Sequence, residues 1–164
     1  MPCQWEPYGL IGDEWRRLGA EGRFGCPSGP NEYDIHDEFG NFKGRRRDFS
    51  AGQMAWSPGQ GPNLVVTLSR DGGRLHFSWW QTLPFKYDNF IVRWSLSAGD
   101  PVTPNAQETI PGGSEISGDF WVEYPGHLPV GPDGKRVGVE FIVEGYDDDG
   151  HSRQGWTCPL RYRM

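Results

Sequence analysis

Four histidines (His36, His76, His127 and His151) and three cysteines (Cys3, Cys26 and Cys158) are the groups best suited to chemistry here. The histidines sit on separate segments. No Gly-x-Ser-x-Gly elbow, His-Glu-x-x-His pair or phosphate loop accompanies them. No nucleophile–base pair is visible, so the chain reads as non-enzymatic. Convergence of residues from distant segments is the one route to a small enzyme. Asp34, His36, Asp37 and Glu38 crowd one stretch and could ligate a metal, but without ligand spacing a solvated acidic turn is the plainer reading. Tyr146-Asp-Asp-Asp-Gly-His151 offers the clustered carboxylates a hard cation wants. It lacks the alternating spacing and distal Glu of a calcium loop, and reads as a turn. The cysteines show no zinc spacing. One disulfide between two of the three, or three reduced thiols, are both open. No cofactor or metal is implied.

The remaining chemical resource is aromatic: eight Trp, nine Phe and six Tyr. Trp80 and Trp121 are out of phase with core-facing neighbours on their strands. They are either covered by the N-terminal part of the chain or exposed as a platform. Aromatic faces stack on sugar rings, and flanking Asp, Asn, Gln and Arg bond the hydroxyls. Trp56 has three polar neighbours, Arg47, Asp48 and Gln53. These six residues form the candidate ligand-binding set.

Charge narrows the partners. The net charge of −6 argues against nucleic acid, which needs a basic footprint. Lys43-Gly-Arg-Arg-Arg47 is the one basic run, and reads as a solvated strand edge that discourages sheet-to-sheet pairing. Mean hydropathy is −0.67, and no window approaches the ~18 apolar residues of a membrane span. Membrane insertion is not expected. Met1 to Tyr8 has neither a basic region nor an apolar run, so no signal peptide is visible.

Many short elements must position these groups, since Gly (24) and Pro (14) are abundant. Residues 7–19 read as a helix with Leu10, Ile11, Trp15 and Leu18 on its apolar stripe. Asp13, Glu14, Arg16 and Arg17 take the other side. Residues 22–30 read as loop. Short strands are expected over 33–37, 44–49 and 53–57. Pro58-Gly-Gln-Gly-Pro62 is the natural boundary. Beyond it, strands are expected at 64–68, at Leu75/Phe77/Trp79, at Phe90/Val92/Trp94/Leu96, at Phe120/Val122, at Val137–Val143 and at 154–162. Pro159 requires that last strand to lie at an edge or be bulged. The pattern suggests an antiparallel sandwich.

Two resemblances follow from these residues. Trp15, Leu18, Gly19, Gly25, Pro27, Phe49, Gly52, Trp56, Ser57 and Pro58, in that order, resemble a single LGFP repeat. That unit belongs mostly to actinobacterial envelope and secreted proteins. Cys26 stands in the aromatic slot that names the repeat. Leu75-x-Phe77-x-Trp79, Tyr87 to Trp94 and Val139-x-Phe141-x-Val143-x-Gly145 resemble strands B, C and F of a fibronectin type III domain, without the tyrosine that usually opens strand F. Together they imply a mainly β chain. Residues 1–60 would be an LGFP-like helix-plus-hairpin unit, packed on a seven-stranded fibronectin III-like β-sandwich of residues 63–164. The function implied is a binding module for a cell-wall polysaccharide or other glycan. A protein–protein adaptor using the sandwich edge or the 123–136 loop is the alternative. The resemblance also implies a secreted or cell-envelope location.

Overall fold

The computed structural model describes residues 2–97, 106–111, 114–123, 138–147 and 155–163. Residues 124–136 of the long loop, residues 148–151 of the acidic turn, and with them His127 and His151, lie outside the described residues. The fold is mainly β and antiparallel. Two helices come first, α1 (Gly9–Arg17) and α2 (Glu21–Phe24). The strands are β1 (Tyr33–His36), β2 (Phe42–Phe49), β3 (Gly52–Trp56), β4 (Val65–Asp71), β5 (Arg74–Trp80), β6 (Asn89–Ser97), β7 (Ala106–Pro111), β8 (Ser117–Glu123), β9 (Gly138–Tyr146) and β10 (Leu160–Arg163). One sheet has the order β1-β2-β3-β4-β5-β8, the other β10-β9-β6-β7.

Residue alternation builds three layers. Leu68, Leu75, Phe77 and Trp79 face inward from the first sheet and meet Phe90, Val92, Phe141 and Val143 of the second. Phe77 and Phe141 stack with centroids 4.0 Å apart. The opposite face of the first sheet presents Phe49, Met54 and Val65. Ile11, Trp15 and Phe24 of the helices cover it. At Gly118 a Cβ would lie 2.3 Å from the Trp79 ring, so only glycine lets that indole lie over β8.

The expected boundary at 58–62 is a short 3-10 turn, Pro58–Gln60. On either side of it β3 and β4 pair directly, Gly52 with Ser69 through Trp56 with Val65. The two sheets are also joined by side chains along the last strand. Gln53 accepts from Arg161 N–H at 2.7 Å and donates to Arg161 C=O at 2.8 Å. Ser57 Oγ accepts from Cys158 N–H, Arg46 donates to Pro159 C=O, and Tyr162 donates to Ser50 C=O.

Several expectations are corrected. A second helix, α2, takes up the first residues of the expected loop. β7 was not foreseen, and β10 is only four residues long, starting after Pro159 at the sheet edge. The basic run is not an edge. β2 is internal, β1 is the edge, and Arg47 is 1% exposed. Glu14 is buried rather than solvated, because i+3 from Ile11 falls on the helix's inward stripe.

Candidate functional site

The outward face of β5 and β8, beside the helix layer, carries the most chemically organised cluster. Register places His76 opposite Trp121 and Ser78 opposite Asp119, and β4 brings Ser69 opposite His76. These side chains share a face because strand residues alternate. From the helix layer, Arg23 of α2 reaches across. It donates through Nε to Ser69 Oγ at 3.2 Å, and its Nη2 lies 2.8 Å from His76 Nδ1. A guanidinium only donates, so Nδ1 must be an acceptor. The imidazole is then neutral with its proton on Nε2, which donates to Asp119 Oδ2 at 2.9 Å. Burial, above all, pushes the His76 pKa down. The Asp119 hydrogen bond opposes this, and the charge of Arg23 adds to it.

Trp121 completes the shelf. Its ring stacks on His76 with centroids 3.9 Å apart and planes 9° from parallel. The Arg74 guanidinium lies 4.3 Å from the ring centre, and the residue remains 40% exposed. A depression of about 440 Å³ opens beside it, lined by Arg23, Ser69, Asp71, His76 and Trp121 among others. Both nitrogens of His76 are engaged, so the ring orients its neighbours and has no lone pair for a substrate proton. What the arrangement can do is bind: a part-exposed indole, backed by His76 and Arg74, with fixed donors and acceptors at its border.

The other Trp of the pair is covered. Trp80 is half-buried, with the Arg17 guanidinium 4.2 Å above its ring. Arg17 is itself ion-paired to buried Glu14. Desolvation raises the Glu14 pKa, with Arg17 pulling the other way. Trp56, Arg47, Asp48 and Gln53 do not join the shelf. Trp56 is half-buried against the helix layer and donates to Pro62 C=O. Arg47 is buried, donates to Gly29 and Pro30 C=O, and lies 5.1 Å from the Tyr8 ring centre. Asp48 and Gln53 point to the opposite face of the sheet. Asp48 accepts from Tyr33 and Gln53, and the Gln53 amide is committed to Arg161.

A larger groove of about 670 Å³ runs along β1 and the segment before β10. Several of its charged groups serve the fold. Asp34 pairs with Arg45, Arg161 with Glu140, and Asp37 accepts the N–H groups of Phe39 and Asn41 within the hairpin. The acidic stretch is therefore spread out rather than gathered around a cation. Among the described residues, the group with metal-ligating proximity is Cys3, Glu21 and Cys26. Its two sulfurs are joined in a disulfide, and Cys158 is the buried free thiol.

No family model, characterised protein or solved structure matches the chain. Arg23, His76 and Asp119 escaped sequence reading because they are 53 and 43 residues apart. Alternation in β5 and β8 carried a partial signal, since it placed His76 and Trp121 on outward faces.

Proposed function

We propose that this protein is a non-catalytic binding module for a glycan, with cell-wall polysaccharide the first class to test. The observation that carries the reading is the half-exposed Trp121 ring, held on His76 beside Arg23, Ser69 and Asp71. Shallow glycan sites pair such a ring with fixed polar groups. The test is intrinsic Trp fluorescence during titration with cell-wall oligosaccharides. A saturable shift that Trp121→Ala abolishes and Trp56→Phe leaves intact is the expected result. A flat response in the native protein would end this reading.

The two resemblances belong to the proposal. The LGFP reading is supported by how its framework residues meet: Trp15 donates to Gly25 C=O at 3.1 Å, Trp15 stacks on Phe49, and Pro27 bridges to Phe49. Cys26, in the slot of the missing aromatic, forms a disulfide with Cys3. That bond also favours an oxidising location such as the cell envelope or exterior. The fibronectin III reading is supported by the split of β4 to β10 into β4-β5-β8 and β10-β9-β6-β7, a three-plus-four division of a sandwich.

One observation favours the adaptor reading. Phe39, at the tip of the β1–β2 hairpin, is 81% exposed. Asp37 fixes the turn beneath it through backbone hydrogen bonds. Copurification of a defined protein that Phe39→Ser releases, with no glycan response, would place function there.

A further inference from the structure

We infer that the ligand of the Trp121 shelf is an acidic glycan, whose carboxylate or phosphate group is received by Arg23 and Arg74. The inference rests on the glycan reading and adds the charge of the ligand. Arg23 is the reason. Its guanidinium is half-buried between α2 and β4–β5, and its two hydrogen-bond acceptors, Ser69 Oγ and His76 Nδ1, are both neutral. Among the described residues, no carboxylate lies within ion-pair distance of it. Asp119 and Glu14 act on it only at longer range, and burial outweighs them in its electrostatics. Asp119 is held on the far side of the imidazole, at Nε2.

A partly desolvated cation without a counter-ion, opening on a concavity, favours an anion there. Arg74 supplies the second charge. It sits over the Trp121 ring with only a long 3.5 Å contact to exposed Asp71. His76 and Arg74 both lie against the Trp121 ring, so a sugar stacks there only once the Arg74 guanidinium swings off it, which frees that group to receive the acidic substituent together with Arg23. Arginine suits this role because its planar fork bonds a carboxylate or phosphate in bidentate fashion.

The experiment is a fluorescence titration of the intact chain with three probes. They are a uronic-acid oligosaccharide, the same oligosaccharide after reduction of its carboxyls to neutral alcohols, and a polyol-phosphate oligomer. At least one acidic probe should bind tenfold or more tightly than the neutral one. That preference should shrink as sodium chloride rises from low to high concentration. Arg74→Gln should cut the preference to threefold or less, and Trp121→Ala should remove binding of every probe. Arg23→Gln should act like Arg74→Gln. Because Arg23 also holds His76, far-ultraviolet circular dichroism of that variant accompanies the titration. Selectivity for the uronic acid identifies a carboxylate ligand, and selectivity for the oligomer a phosphate. Either supports the inference. Equal affinity for acidic and neutral forms would overturn it and leave the glycan reading standing. Absence of binding to all three would overturn both.

Discussion

Replacing Gln53 by leucine preserves side-chain size and removes one polar joint between the two sheets. The native amide makes three hydrogen bonds: two to the Arg161 backbone, at 2.7 and 2.8 Å, and one to Asp48. Gln53 is 1% exposed, so water does not replace these bonds locally. Two neutral bonds at about 1 kcal/mol each and one to a carboxylate at about 1.5 kcal/mol give a loss of about 3.5 kcal/mol. The extra apolar burial of leucine returns about 1 kcal/mol. Gln53→Leu should therefore destabilise the protein by about 2.5 kcal/mol, a fall in Tm of about 5–10 °C for a chain of this size. Equilibrium urea unfolding followed by Trp fluorescence measures it. Gln53→Glu provides the internal check. It keeps the acceptor for Arg161 N–H but sets a second carboxylate against Asp48. Burial and like charge raise the pKa of the new group, so its stability is retained at low pH and lost as pH rises through that pKa. A loss below about 0.5 kcal/mol for Gln53→Leu, or no pH dependence in Gln53→Glu, would refute the view of Gln53 as a structural tie. A drop in glycan affinity at unchanged stability would restore it as a ligand residue.

Three further outcomes are expected. Reduction of Cys3–Cys26, whose partners are 23 residues apart, should cost about 3 kcal/mol by loop-closure entropy; urea unfolding with and without a thiol reductant checks this, and no change would mean the helix layer is held without it. His76 has a folded pKa below its ordinary 6.5, so its contribution is complete above that value and declines as pH falls below it. Glu14, with a raised pKa, acts with the opposite sign, so the diagnostic is the difference between the native protein and His76→Gln; parallel stability curves from pH 7.5 to 5 would contradict the assignment of a neutral imidazole. Gly118→Ala should cost about 2 kcal/mol because Trp79 must leave its place over β8, with a shifted near-ultraviolet circular dichroism band as the signature; a native-like spectrum and stability would count against that packing.

What was legible in the sequence was local. The period-two runs of β5, β6 and β9 and the Ile11–Trp15–Leu18 stripe followed from side-chain direction alone. The out-of-phase positions of Trp80 and Trp121 were also readable. Their divergent fates were not, because Arg17, which covers Trp80, comes from a helix some sixty residues upstream that packs on the same face of the sheet. Arg47 and Gln53 looked like ligand groups flanking Trp56. Burial by Tyr8 in one case and by the last strand in the other turned both toward the backbone. Glu14 was misplaced because polarity was weighed above its position on the helix. The Cys3–Cys26 pairing could not be chosen among three thiols, since nothing local distinguishes them. The shelf itself depends on non-local strand pairing between β5 and β8 and on an arginine from a four-residue helix, neither of which leaves a periodic trace.

The direct pairing of β3 with β4 has a consequence for anyone dividing this chain. A cut at Gly61, the point composition recommends, would unzip five paired positions. Each fragment would then carry a bare ribbon of amide and carbonyl groups, which invites intermolecular pairing. The first fragment would also lose Val65 from beneath its helices, and the second would lose the Gln53, Ser57 and Ser50 anchors of its final strand. Moving the cut beyond Asp71 would break the seven β4–β5 pairs instead. The two parts that composition marks off therefore share one continuous sheet.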